Sequence, residues 1–313
     1  MNIKTINHFL ALFLSISLSS QAQVFNDSIS AGNNFNKAAF RLWLPKTNQP
    51  FQGVLVLMPG SNWDGRDECS ESDWQTFAKN KNFAILACFF LDAQNETPAA
   101  EYYSKAANGS GQALLDALDR LAVQSAHLEL KNAPLLLWGM SAGGQFNYEF
   151  ACWKPERTLA FVVNKGGIYY TALASEKTRK VPGLFIVGER DLVFRNKIIE
   201  GIFAINRRFG AIWTFATQPG AEHIVGESKE LALKYFNSVV ELRLPKPETE
   251  LKEPPHLNDL TNEKSLLGDP LLMKIEEGMI WKDKNYPTSW LPDEKFANEW
   301  LNFMNGANAE KKR

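Results

Sequence analysis

Three residue types in one order define the chemistry this chain could perform: Ser141, then Asp191, then His223. Ser141 stands in Gly139-Met140-Ser141-Ala142-Gly143, a G-x-S-x-G pattern. A serine hydroxyl is a poor nucleophile until a neighbouring base takes its proton. The base must be a histidine, and outside the first residues the chain offers only His127, His223 and His256. His127 precedes the serine at the end of a predicted helix and reads as a surface residue. His256 sits in a proline-rich stretch. His223 follows Gln218-Pro219-Gly220-Ala221-Glu222, in a loop after the last predicted strand and before the last predicted helix. Between Ser141 and His223 there is a single aspartate, Asp191, just past the apolar run Leu184-Phe185-Ile186-Val187. It is placed to orient the imidazole and to stabilise its charged form. Asp191 also suits a helix N-cap, and Glu189 is the alternative acid. Such a set performs acyl transfer, and the developing oxyanion needs two amides. One is Ala142. The other comes from Pro59-Gly60-Ser61-Asn62-Trp63, with Ser61 first and Asn62 next.

The elements around these residues must hold them in place. Phe40 to Leu44, Val54 to Met58, Phe83 to Phe90, Leu135 to Trp138, Leu159 to Val163, Leu184 to Val187 and Ile212 to Phe215 read as strands. Most are short and continuously apolar, the pattern of strands covered on both faces. Helical spacing links Leu114, Leu118 and Leu121; Phe146, Phe150 and Trp153; Ile198, Ile202, Ile205 and Phe209; and Leu231, Tyr235, Val239 and Leu242. Alternating strands and helices specify an α/β fold, with a mostly parallel central sheet and helices on both faces. The G-x-S-x-G pattern therefore lies where a buried strand turns sharply into a helix, the context of a nucleophile elbow. Glycine on both sides of the serine lets strand and helix approach each other.

Composition bounds the rest. The chain has 313 residues, is 45% hydrophobic and carries a formal net charge of -1. It holds no basic excess for a phosphate backbone, so nucleic acid is not an expected partner. No metal cluster, phosphate loop or dinucleotide fingerprint is present, and acyl transfer by serine requires no cofactor. Residues 1–22 read as a cleaved signal peptide: Lys4, the apolar run Phe9 to Leu18, then Ser20-Gln21-Ala22. That places the mature protein in the periplasm or outside the cell. The run is too short to span a bilayer, and no later segment is long and apolar enough. Cys69, Cys88 and Cys152 leave at least one free thiol, with a Cys69 bridge to either partner open. Residues 23–244 form the expected catalytic domain. Residues 245–313 begin as a Pro/Glu/Lys-rich linker and end in an extension with too few apolar residues for its own core, expected to pack on the domain. Trp63, Tyr102 and Lys165, with Asn62, are the candidate substrate contacts. Trp74 and Tyr103 are further aromatic candidates for the cleft, and Lys165-Gly166-Gly167 shapes its wall. Nothing in the chain specifies an oligomeric state.

Gly-Met-Ser-Ala-Gly-Gly, the following Ala151-Cys152 and Pro155-Glu156-Arg157, and the Val-Gly-Glu-Arg-Asp and Ala-Glu-His segments resemble the α/β-hydrolases. The likeness is to the branch of secreted esterases, polyhydroxybutyrate depolymerases and feruloyl esterases, over roughly residues 38 to 242. It implies an α/β-hydrolase fold acting on extracellular esters, small or polymeric. Two features depart from that pattern: Pro59-Gly60 stands where many relatives carry His-Gly, and residues 245–313 match no part of it. A prolyl-oligopeptidase-type peptidase shares the triad order but requires a large cap or propeller. A non-catalytic protein binding glycan or a partner is the remaining alternative, suggested by nine tryptophans.

Overall fold

In Val54-Leu55-Val56-Leu57-Met58, successive side chains enter opposite cores, because strand side chains alternate between the faces of a sheet. Val54, Val56 and Met58 join one buried cluster, and Leu55 and Leu57 join the other. Leu135 and Leu137 against Leu136 and Trp138 repeat the division one strand over. The continuous apolar runs are thus strands covered on both faces. A computed structural model describes residues 22–93, 101–245, 256–260, 266–277 and 286–306. The signal-peptide segment and most of the 245–256 linker lie outside the described residues.

The strands are β1 (Gln23–Ile29), β2 (Phe35–Leu44), β3 (Gly53–Met58), β4 (Phe83–Asp92), β5 (Leu135–Gly139), β6 (Thr158–Asn164), β7 (Gly183–Gly188) and β8 (Trp213–Gln218). They form one eight-stranded sheet in the order β1-β2-β4-β3-β5-β6-β7-β8. β1 and β2 pair antiparallel, as do β2 and β4, and the rest are parallel. β1 is a half-exposed edge strand in full register with β2, and it escapes a search for apolar runs because its side chains are mostly polar.

The helices are α1 (Ser72–Lys81), α2 (Ser110–Gln124), α3 (Ala142–Trp153), α4 (Glu176–Arg179), α5 (Val193–Arg208) and α6 (Ser228–Arg243). Leu114, Phe146 and Ile199 place α2, α3 and α5 on one face; Phe77 and Leu231 place α1 and α6 on the other. The stripe expected on the fifth helix is shifted by one position. Ile199, Ile202, Phe203 and Asn206 are buried, whereas Ile205 is 41% and Phe209 57% exposed. The inward face includes a polar residue: Asn206 accepts from the Ala174 amide (2.8 Å) and donates to the Ala172 carbonyl (2.9 Å). An apolar count passes over it. Leu242, expected on the stripe of the last domain helix, is likewise 38% exposed, while its neighbour Arg243 is buried and donates to the Thr158 carbonyl at 2.8 Å.

Beyond the domain, β9 (Leu266–Asp269), β10 (Lys274–Glu277) and β11 (Ser289–Leu291) make a small antiparallel sheet, followed by α7 (Glu294–Met304). Trp290, Leu291, Phe296, Ala297, Trp300 and Phe303 belong to the same buried cluster as α1, α6 and β8 residues. The Trp300 indole donates to the Phe215 carbonyl at 2.8 Å, which ties α7 to β8. The three cysteines are free thiols, with Cys69 and Cys88 buried and Cys152 partly so.

Candidate functional site

Parallel strands carry their following loops to one end of the sheet, and Ser141, Asp191 and His223 follow β5, β7 and β8 at that carboxyl end. Ser141 sits between β5 and α3 with φ 54° and ψ −121°, a conformation a serine adopts only under constraint. The constraint is visible in the backbone. The Met140 amide donates to the Met58 carbonyl (3.3 Å) and the Ser141 amide to the Asn164 carbonyl (2.9 Å), so strands on both sides pin the turn. A Cβ on Gly143 would lie 2.1 Å from the Met58 oxygen, and one on Gly139 would lie 2.3 Å from the Gly143 oxygen. The flanking glycines are therefore demanded by contact with backbone.

Ser141 Oγ lies 3.0 Å from His223 Nε2, and His223 Nδ1 lies 2.8 Å from Asp191 Oδ2. An ionised carboxylate accepts only, so it fixes a proton on Nδ1 and leaves Nε2 free to accept the serine proton. Asp191 is held from its other oxygen by the Leu192 amide (2.7 Å) and by Arg195 (2.5 Å). Burial raises the Asp191 carboxyl, but hydrogen bonds from His223 and Leu192 and the charges of His223 and Arg195 outweigh it, so it titrates below its usual range. The rival acid, Glu189, instead accepts from the Gly220 amide at 2.6 Å. His127 pairs with Glu129 (2.9 Å), and His256 is exposed.

Arg195 is the site residue that sequence reasoning missed. Its Nη1 lies 3.0 Å from His223 Nδ1 as well as against Asp191. Since Nδ1 carries the proton given to Asp191, this second approach is a contact between two donors. The available signal was spacing: Arg195 is one helical turn after Asp191 on the segment that starts α5.

The Ala142 amide begins α3, and among the described residues neither it nor the Ser61 amide has a hydrogen-bond acceptor. Gly60 brings the second loop against the nucleophile, since a Cβ there would lie 3.7 Å from the Ser141 Cβ. A cleft of about 580 Å³ opens beside Ser141 and His223, lined also by Ser61, Trp63, Glu68, Trp74 and Trp138. Trp63 is 68% exposed on its rim.

The other expected substrate contacts lie elsewhere. Asn62, at φ 55°, turns its side-chain oxygen to the Asp92 amide (2.8 Å) and so anchors the loop to β4. Tyr102 and Tyr103 do not line this cleft; Tyr102 is partly exposed and Tyr103 is buried against Phe90. Lys165 is fully buried behind the site, donating to Asn164 (3.1 Å), Gln218 (2.9 Å) and Ser228 (3.0 Å). Burial pulls its ammonium down to about 8, against the opposing charge of Asp191. Its partners sit on either side of the loop that carries His223, so it braces that loop. Among the described residues no group of His, Cys, Asp and Glu could hold a metal ion, and no helix is long and apolar enough to cross a membrane.

The strand order, the elbow and the loop positions define an α/β-hydrolase fold. No family model and no curated protein matches the chain. Solved structures do. A ferulic acid esterase superposes with a TM-score of 0.52 at 14% identity, covering 71% of this chain and 98% of its own. Poly(aspartic acid) hydrolase-1 from Sphingomonas sp. KT-1 gives 0.51 at 16% identity, covering 68% and 97%. An S-formylglutathione hydrolase from Agrobacterium tumefaciens gives 0.50 at 11%, covering 70% and 95%. The likeness is one of fold.

Proposed function

We propose that this protein is a serine esterase that cleaves carboxylic esters through an acyl-enzyme on Ser141. The observation that carries the reading is the unbroken hydrogen-bond chain from Ser141 through His223 to Asp191, beginning at a strained elbow. His223 takes the hydroxyl proton as Ser141 attacks the carbonyl, and Asp191 stabilises the imidazolium. The Ala142 and Ser61 amides, which have no other acceptor among the described residues, receive the oxyanion. His223 then protonates the leaving alcohol, and water repeats the sequence to release the acid. Small esters, esters linked to polysaccharide and polyesters are the substrate classes, and the open cleft supports access by a bulky chain. The ferulic acid esterase and the S-formylglutathione hydrolase above show that hydrolases use this fold, which is analogy at the level of fold. Export belongs to the same proposal and rests on the character of residues 1–22.

The test is turnover of p-nitrophenyl esters of increasing chain length and of methyl ferulate, with fluorophosphonate labelling alongside. Ser141→Ala is expected to lose labelling and to lower kcat by at least about a thousandfold. A wild-type protein that neither turns over any of these esters nor takes the label would overturn the reading.

A further inference from the structure

Glu68 stands in the wall of the cleft beside Ser141, on the turn Arg66–Ser70 that precedes α1. The segment 64–73 carries Asp64, Asp67, Glu68, Glu71 and Asp73. Each of the others has a cation. Arg66 pairs with Asp64 at 2.6 Å, Arg41 with Asp67, and Lys229 with Glu71 at 2.9 Å and Asp73 at 3.0 Å. Glu68 has neither an ion pair nor a side-chain hydrogen bond among the described residues. Met58, Trp74, Trp138 and Met140 give the cleft beside it apolar surface, and Glu71 and Lys229, already paired with each other, line it as well. Burial above all, then the charge of Glu71, pushes its carboxyl up to about 7, with Lys229 opposing.

A carboxylate left without a partner in a partly apolar wall is costly, and it recovers that cost from a group that both donates hydrogen bonds and cancels its charge. A hydroxyl does only the first, and an anion makes the field worse. The charges nearest the wall do not supply the missing cation, because Lys229 is already shared between two carboxylates. We propose that Glu68 is a specificity-determining residue that selects esters whose acyl or alcohol part carries a protonated amine. This rests on the esterase reading above and narrows its substrate class.

The test compares kcat/KM for the p-nitrophenyl esters of ε-aminocaproate, heptanoate and pimelate, which end in ammonium, methyl and carboxylate at the same length. A second set places the charge on the alcohol: aminoalkyl butyrates against alkyl butyrates of equal length. Assays run above the Glu68 titration, at a pH well over about 7. In at least one set the ratio of amino to neutral ester is expected to fall about tenfold in Glu68→Gln. Glu68→Lys is expected to reverse the preference towards pimelate, which loss of packing would not do. If Glu68→Gln fails to fold, the wild-type order of amino over carboxylate ester and the Glu68→Lys reversal still decide. Equal ratios in wild type and Glu68→Gln in both sets, or no discrimination against pimelate by the wild type, would overturn the proposal while leaving the esterase reading intact. Absence of turnover together with absence of fluorophosphonate labelling would overturn both.

Discussion

At the scale of the residue, the site depends on groups that never meet a substrate. Lys165 donates to Gln218 and Ser228, on either side of the His223 loop, and to Asn164, whose carbonyl pins the Ser141 amide. Lys165→Met removes those bonds and takes from the buried Asn164 side-chain oxygen its donor among the described residues, while Ser228 still donates to Gln218. We expect kcat to fall about tenfold with KM little changed, read from steady-state kinetics on one ester. Glu68 gives a stability prediction of definite sign. Its folded carboxyl titrates near about 7 against an ordinary 4.5, so the folded state keeps a proton that the unfolded state has lost. Stability therefore falls as pH rises through that interval. Glu68→Gln should flatten this fall, gaining up to about 3 kcal/mol above about pH 7 and nothing below the unfolded value, as measured by urea melts across pH.

At the scale of the element, the turn from β5 into α3 is held by packing rather than by local preference. Ser141 at φ 54° costs about 1–3 kcal/mol, which the bonds to Met58 and Asn164 must offset. Gly143 lets α3 approach the end of β3, and its Cβ position is occupied by the Met58 and Pro59 carbonyls. Gly143→Ala should lower stability by about 3 kcal/mol and abolish fluorophosphonate labelling even in the fraction that stays folded. A melt near the wild-type value with full labelling would show that the turn can relax. The elbow and its helix were legible because G-x-S-x-G follows a run of buried-type residues. The inward face of α5 was not, because Asn206 serves there by bonding loop backbone that lies some thirty residues earlier in the chain.

At the scale of the molecule, residues 286–306 complete one of the two cores. Trp290 and Trp300 are buried with α6 and β8 residues, and Thr214 and Phe215 of β8 bond the Trp290 carbonyl and the Ser289 hydroxyl. Trp300→Ala should cost about 3–5 kcal/mol, the penalty of emptying a large buried site, while the Phe215 carbonyl keeps the Ser289 hydroxyl as its second donor (3.0 Å). Thermal unfolding monitored by circular dichroism measures it. Because β8 leads directly into the loop carrying His223, the same variant should lose activity at temperatures below its melting transition.

The sequence by itself determined the alternation of apolar runs and helical stripes, hence the α/β class, and the ordered Ser141, Asp191 and His223 as one candidate set. Those signals are local, or depend on counting a rare residue type, so one dimension is enough to read them. Tertiary structure alone decided which side chains face the cleft. Lys165 turns away because side-chain acceptors distant in sequence claim its ammonium, and Asn62 because its side-chain oxygen accepts from the Asp92 amide, while Glu68 and Trp138, from unrelated segments, come to line it. It also set Arg195 against Asp191 and His223, and β1 on the sheet edge. Such placements follow from the competition of polar groups for partners across the fold, which no pattern of spacing records.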